Sequence, residues 1–441
     1  METGNEVGRA SGEALVERLE RHPGMKTRIE RVLDVLENTS GDLIRADEAE
    51  RRAIDELRAM GQELLQGWAE GQAQKESQRL EADNRVVRQV KKLHWFSTFG
   101  EISVIEQIYI GKHDRKLHRP FQTSARIGCR AYSLPLQRAI TDFGADTAFG
   151  RVSGKLREHY GIDLPAGAIV AITERHAHAI PADMTPAPRP TKAQLTLVAE
   201  TDGSMIPIVE TRAVAGGPTD LRKTRKLLWK EAKLALVRRS DEIEPLVAVT
   251  LGDQTVAGEA LNRLAHAAGL AADSRVHGLG DGAPWIADQI EVQFGAQGSY
   301  LVDFYHLCDY LAAAAKVCDR EFAADWMTLQ KERLKTGRLP EVIRALKPFV
   351  EPETVPPEDA PVRQCYRYID NRPGQFKYCE ALAANLPIGS GEVESAHRYV
   401  IQERLKLAGA WWNKDNAQAM LNLRTARANH CWHSYWDALA A

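Results

Sequence analysis

AQLTLVAETDGSMIPIVETR (residues 193–212), LLWKEAKLALVRR (227–239) and EPLVAVTLGD (244–253) together decide how this chain folds. Each is rich in β-branched and apolar residues over a strand-length run, the first around Leu197 and Val198, so three strands in succession suggest a meander. Past them GEALNRLAHAAGL (258–270) reads as a helix, SRVHGLGDGA (274–283) as a short strand ending in glycines and PWIADQIEVQF (284–294) as a helix. GSYLVDFYH (298–306) reads as a last strand entering the helix LCDYLAAAAKV (307–317). The order β-β-β-α-β-α-β belongs to an open α/β sheet.

That order is the order of the ribonuclease H-like fold, a mixed sheet carrying acidic residues near strand ends, where ligands of open α/β sheets gather. Asp202 lies at the end of the first strand and Asp281 just after the fourth. In this fold those strands are neighbours, so the two carboxylates are expected to converge. A third comes from GSGEVESAHRYVIQERLK (389–406), where Glu392 and Glu394 compete. At 100° per residue Glu394 falls between Ile401 and Leu405, on the side expected to pack on the sheet, whereas Glu392 aligns with Tyr399 and Glu403. A carboxylate in an apolar stripe needs a partner. Arg398, one turn on, offers an ordinary ion pair; a metal ion is the other choice. Three inward carboxylates suit hard cations such as Mg²⁺, and a pair of such ions can activate a water or a 3′-hydroxyl and stabilise the leaving oxygen of a phosphodiester.

Outward from this core, PADMTPAPRP (181–190) holds four prolines in ten positions and reads as a semi-rigid linker. Residues 11–84 are helical in pattern, with Ile54, Leu57, Leu64 or Leu65 and Trp68 at helix spacing, as in a core-packed or coiled-coil arm. HWFSTFGEISVIEQIYI (94–110) reads as a hairpin around Gly100. Asp146 as a cap, Gly161 as a stop and Pro165 as a second start give a helix-turn-helix-like pair, either a DNA-reading element or plain packing. The expected organisation is a helical arm (1–93), a hairpin with DNA-binding helices (94–180), the linker (181–190), the first part of the core (191–306), a helical insertion (307–387) and C-terminal core helices (388–441).

Composition excludes more than it selects. A chain of 441 residues, 44% hydrophobic and 27% charged, is globular and multidomain. No apolar run reaches membrane-spanning length and the first residues are charged, so neither a membrane partner nor a signal peptide is expected, and the cytoplasm, in association with the nucleoid, is the expected compartment. Six scattered cysteines without a C-x-x-C pair suit reduced thiols, and His430-Cys431-Trp432-His433 is the one metal-like cluster. The net charge of −2 gives no bulk attraction to nucleic acid, but residues 221–239 hold eight Lys or Arg against Glu231, either a phosphate-binding face or a solvated one.

The segments TDGSMIP, LLWKEAKLALV, LGDGAPWI, VDFYHLCDYL and IGSGEVESAHRYVIQERLKLAGAWW, with QAMLNLR after them, resemble the DDE transposases of bacterial insertion sequences, of the Kra type related to Mutator-like elements. The resemblance runs from residue 99 to the C-terminus. It implies Asp202, Asp281 and Glu394 as catalytic metal ligands for Mg²⁺, with Mn²⁺ able to substitute, and a D-x-x-H element at Asp303-Phe304-Tyr305-His306 that brings His306 near the scissile phosphate. A hydrogen-bonded core histidine is the bland alternative for His306. It also implies a sheet interrupted by a helical insertion, a substrate of terminal inverted repeats and target DNA, and a homodimer or higher homo-oligomer holding two element ends. Lys230, Lys233, Arg398 and Arg404 are candidate phosphate contacts; Trp285 and the pair Trp411-Trp412 are candidates for stacking on unpaired bases, though tryptophan is more often buried. Relatives often carry a C-x-x-C pair near residue 110. Here Ile110-Gly111-Lys112-His113-Asp114 has no cysteine, so zinc is not expected. The competing functions are a structure-selective nuclease on the same fold and a non-catalytic DNA-binding descendant. Glu394→Gln is expected to abolish cleavage and Glu392→Gln to do little.

Overall fold

The computed structural model describes residues 14–111, 116–128, 130–211 and 220–441. Lys112, His113 and Asp114, at the position of the relatives' cysteine pair, and Cys129 lie outside them. The protein is mixed α/β and its backbone forms two compact units, Met1–Gly144 with Phe149–Ile172 and Ala145–Ala148 with Thr173–Ala441.

In the first unit α1 (Pro23–Glu37) packs on the long helix α2 (Ala46–Ala82). The hairpin β1 (Val86–Ser97) and β2 (Gly100–Ile110) begins at Val86, eight residues ahead of the sequence reading, because Val86, Val87 and Val90 continue the strand across Lys91 and Lys92. With β3 (Leu117–His118) and β4 (Ala131–Tyr132) it forms a mixed sheet of order β3-β2-β1-β4, and α3 (Pro120–Ser124) brings Phe121 onto Trp95 and Trp68. The apolar stripe read along α2 is largely exposed at Ile54, Leu57, Leu64 and Trp68; the buried positions are Ala69, Ala73 and Leu80. The helix-turn-helix-like region is three helices: α4 (Leu134–Asp146), α5 (Phe149–Tyr160) and α6 (Ala166–Ala179). Gly161, at a φ of +69°, ends α5 as expected. Asp146 does not cap α5: it closes α4, and its carboxylate pairs with Arg424 and Arg427 within the second unit.

The second unit is built on a five-stranded sheet, β5 (Thr196–Glu210), β6 (Lys226–Arg239), β7 (Leu246–Thr250), β8 (Arg275–Gly280) and β9 (Gly298–Val302), in the order β7-β6-β5-β8-β9. The first three strands pair antiparallel and the last two join in parallel, so the first and fourth strands are neighbours. Helices α7 (Gln254–Ala267) and α8 (Pro284–Phe294) cover one face over Leu197, Ala199, Ala235 and Val276. The other face, at Val198, Leu279 and Leu301, meets α9 (Phe304–Cys318) and the helices that follow it: α10 (Ala323–Lys335), α11 (Leu339–Leu346), α12 (Pro361–Asp370) and α13 (Tyr378–Ala383). The chain closes with α14 (Gly391–Ala396), a π-helical turn (His397–Gln402), α15 (Glu403–Leu405), α16 (Lys414–Ala428) and α17 (Trp432–Ala440).

Three readings need correction. The proline-rich segment does not divide the two units; the division falls at 172/173, inside α6, and Arg189 in that segment is tied by its N–H to Ala267 and by an ion pair to Glu242. Strand β5 does not end at Asp202. It continues with β6 to Glu210 as a two-stranded arm, although its pairing to β8 stops at Glu200. The last strand stops at Val302, and α9 starts at Phe304 because the Asp303 carboxylate accepts the N–H groups of Tyr305 and His306 as an N-cap.

Candidate active site

The alternation of β5 directs Val198, Glu200, Asp202, Ser204 and Ile206 to one face of the sheet. Asp202 stands two residues beyond the last β8 partner, where the sheet narrows to the β5–β6 arm. Its Oδ1 accepts the Gly203 N–H at 2.7 Å. Burial holds its carboxyl above the ordinary range; the Gly203 N–H opposes this, Asp281 and Glu231 add to it, and the charge of His306 works against it.

Asp281 sits on the turn from β8 into α8, its Oδ1 accepting the Ala283 N–H at 2.8 Å. The turn needs Gly282 at a φ of +89°, where a Cβ would come within 2.5 Å of the Tyr368 hydroxyl. From α12 Tyr368 donates its hydroxyl to the Asp281 carbonyl at 2.6 Å, and Arg372 donates Nε to the Gly282 carbonyl at 2.7 Å while lying over the Tyr368 ring. The helical insertion therefore adds two hydrogen bonds to the Asp281 turn. His306 is exposed in the first turn of α9, its ring about 6 Å from those of Tyr310 (6.0 Å) and Tyr368 (6.2 Å). It is not a core histidine.

Asp202, Asp281 and His306 thus form one electrostatically linked cluster. Glu394 is not drawn into it. Instead it is exposed and lines a groove of about 460 Å³ with Asp303, Tyr305, Ile388 and Glu392. The expected apolar phase fails because buried positions recur at Val393, His397, Ile401 and Leu405, every fourth residue, through the π-helical turn. The additional residue of that turn moves Val393 into the place that straight α-helical phase gave Glu394. Nor does Arg398 pair with Glu394; it stands 3.9 Å from Glu403. Glu392, the carboxylate read as a surface residue, is gripped by Arg238 through Nε and Nη2 at 2.6–2.8 Å.

Two buried groups beside Asp202 escaped the sequence reading. Glu200, 0% exposed, accepts the Val393 N–H at 2.8 Å through Oε2, while its Oε1 has no hydrogen-bond partner. Burial first, then Glu392 and Asp303, push its carboxyl up to about 8 against the pull of the Val393 N–H and Arg238. His397, 3% exposed, has no hydrogen bond at either ring nitrogen, and its Nε2 lies 3.5 Å from Asp202 Oδ2. Burial lowers its imidazole to about 4, with the Asp202 main chain pulling the other way and Lys406 adding to the fall. Signals for both were present: Glu200 shares a strand face with Asp202, and His397 follows Glu394 by one helical turn.

The candidate DNA contacts separate into two kinds. Arg398 is exposed, and half-buried Lys230 lies beside Lys414, burial and that neighbour lowering its ammonium. Lys233 is tied to Glu231 and lies over the Trp285 ring at 5.7 Å, leaving Trp285 half-buried. Arg404 is a correction: it is 2% exposed over the Trp412 ring, four residues after buried Val400 on the same helical stripe, and cannot reach a phosphate from there. Trp412 is buried and bridges to Ile208, whereas Trp411 is exposed with Arg225 over it.

Among the described residues no three His, Cys, Asp or Glu side chains stand close enough to hold one metal ion. Asp202 and Asp281 are nevertheless suited to a hard cation, since the charge of Asp281 disfavours ionisation of Asp202, and Mg²⁺ is commonly bound through one or two carboxylates with water and substrate phosphate completing its shell. No helix among the described residues is long and apolar enough to cross a membrane. No protein-family model matches the chain, and no curated protein matches it.

Proposed function

We propose that the protein is a DNA transposase with a ribonuclease H-like core that cleaves strands at the ends of a mobile element and joins the 3′-hydroxyl ends to target DNA. The observation that carries this reading is Asp202 on the first strand and Asp281 directly after the adjacent, parallel fourth strand, with Asp281 and His306 both acting on the Asp202 charge. The strand order β7-β6-β5-β8-β9 and the helical insertion after β9 support the fold. Asp202 and Asp281 would hold Mg²⁺, which supplies charge neutralisation at the phosphate and an activated oxygen nucleophile. Exposed His306 donates to a phosphate oxygen, and the Tyr368 and Arg372 bonds brace the turn that carries Asp281. Glu394 joins the pair by a shift of α14 from its present outward position. Lys230, Arg398 and the β5–β6 arm face the DNA backbone, and the exposed Ile54, Leu57, Leu64 and Trp68 of α2 offer a surface for a second copy.

The test is incubation of the full chain with Mg²⁺ and labelled DNA taken from both flanks of its coding region, beside Asp202→Asn. Transposase activity appears as nicks at element ends followed by joined products, both absent from Asp202→Asn. Cleaved ends without joining favour a structure-selective nuclease. Binding of ends with no metal-dependent nicking favours a non-catalytic DNA-binding protein.

A further inference from the structure

We infer that His397 is a positioning residue that orients the Asp202 carboxylate for metal binding through an Nε2–H donor. This rests on the reading of Asp202 as a metal ligand. A buried imidazole without a hydrogen bond is costly, because its N–H and lone pair are stripped of water and receive nothing in return. His397 is in that state, 3% exposed with both ring nitrogens unpartnered. What its ring does face is Asp202: Nε2 stands 3.5 Å from Oδ2, just outside hydrogen-bond range. The tautomer with hydrogen on Nε2 needs a shift of only about half an ångström to donate to that oxygen at an ordinary 3.0 Å.

The backbone around the residue gives the placement a reason. His397 opens the π-helical turn, and the turn keeps Val393, His397, Ile401 and Leu405 on one buried line. In straight α-helix the line would drift off the sheet within two turns. Single π turns inside α-helices recur at functional sites, where they aim one side chain that regular phase would misdirect. Asp202 Oδ1 is already taken by the Gly203 N–H, so a donor on Oδ2 fixes the plane of the whole carboxylate and leaves lone pairs that would be free for a cation. Hydrogen-bonded supports of this kind typically change metal affinity roughly 10- to 100-fold when removed. His397 also lies one turn after Glu394 on the same helical segment, so contact with Asp202 ties that segment to the strand-borne ligand.

The test is Mn²⁺ affinity of the full chain, read from the electron paramagnetic resonance signal of free Mn²⁺, for wild type, Asp202→Asn, His397→Phe and His397→Gln. Phenylalanine keeps the ring without a donor; glutamine keeps a donor near Nε2 without the ring. The expected result is Mn²⁺ binding by wild type that Asp202→Asn removes, a roughly 10- to 100-fold loss in His397→Phe and recovery of most of it in His397→Gln. Binding by wild type that both His397 variants share, or lose to the same degree, overturns the inference alone, because packing and not the N–H then sets the affinity. Absence of Mn²⁺ binding in wild type, or binding that Asp202→Asn leaves intact, overturns the metal-site reading and the inference with it.

Discussion

The candidate site joins two regions that are built by different rules. Asp202 and Asp281 stand two residues beyond the last β5–β8 pair, Asp202 on the face that the period of two gives it and Asp281 on the turn that β8 leads into, so backbone pairing anchors both. Glu394 is held by a short helix, α14, whose rotation is set by a π-helical turn, by the grip of Arg238 on Glu392, and by the Asp303 carboxylate accepting from the Ser390 N–H and hydroxyl at 2.6 Å each. A strand cannot turn one carboxylate without breaking a ladder of hydrogen bonds. A helix end can rotate when its local anchors change. The strand-borne pair is therefore preformed, and the helix-borne glutamate is the adjustable element.

The sharpest break of that comparison is chemical. Glu394→Gln is expected to reduce cleavage to the level of a protein-free control while leaving the folded state within about 0.5 kcal/mol of wild type, since the side chain is exposed and unpaired with Arg398. Glu392→Gln is expected to leave cleavage intact but to cost stability, because Arg238 then loses a charged partner. Cleavage assays beside urea unfolding read both. If the two substitutions exchange these effects, Glu392 is the ligand and the adjustable element is assigned to the wrong residue.

The next effect concerns the junction of the two regions, where Glu200 on β5 accepts from Val393 on α14. Its folded carboxyl titrates at about 8 against 4.5 for the free group. A raised value means that stability is complete below the unfolded value and falls as pH rises through the folded one, as the unfolded chain ionises first. Without divalent metal, Glu200 is expected to cost wild type stability relative to Glu200→Gln as pH rises from 4.5 to 8, on the order of 4 kcal/mol over the window. The buried histidines shape both profiles alike, so the difference between the two proteins should be smallest near pH 4 and grow through the window. Parallel profiles of unfolding free energy against pH for the two proteins would falsify the neutral, buried state of Glu200.

Legibility in the sequence follows the same division. The succession of strands and helices could be read because period-two alternation and Gly-rich turns are local signals, and the adjacency of the first and fourth strands followed from the fold whose element order it matches. The phase of Glu394 could not, because extrapolation at 100° per residue assumes an uninterrupted α-helix, and nothing in HRYVIQ announces the additional residue of the π turn. Arg404 was misplaced for a different reason: its charge suggested a surface, but its spacing from Val400 already put it on the buried stripe beside Trp412. The arm of β5 and β6 beyond Asp202 was invisible because an exposed two-stranded extension and a strand end followed by a loop share one composition.

Within the adjustable region, the anchor with the largest expected cost is Arg238. It is mostly buried, holds Glu392 through two nitrogens and donates Nη1 to the carbonyls of Arg239, Ser240 and Glu242. Arg238→Ala should destabilise by about 3 kcal/mol, the lower end for breaking a buried pair because Glu392 keeps some contact with water. Limited proteolysis within 387–396 should accelerate with it, as α14 loses its main tie to β6. Unchanged proteolysis would mean that the Asp303–Ser390 and Glu200–Val393 bonds suffice to hold the helix.

The smallest expected effect tests the preformed region. Tyr368 donates its hydroxyl to the Asp281 carbonyl at 2.6 Å, and its ring is stacked between Tyr310, at 4.3 Å, and the Arg372 guanidinium, at 3.9 Å. Tyr368→Phe keeps both stacking contacts and removes one hydrogen bond, a loss of about 1 kcal/mol in urea unfolding. Because β8 pairing and the Ala283 N–H still fix Asp281, its geometry relative to Asp202 should survive, and Mn²⁺ affinity should fall less than threefold, which corresponds to less than about 0.7 kcal/mol. Gly282→Ala provides the contrast at the same turn, since a Cβ there meets both the Tyr368 hydroxyl and Arg372 Nε at a positive φ. A strong loss of metal affinity in Tyr368→Phe would mean that the insertion, and not the sheet, positions Asp281, and the distinction between a preformed pair and an adjustable glutamate would no longer hold.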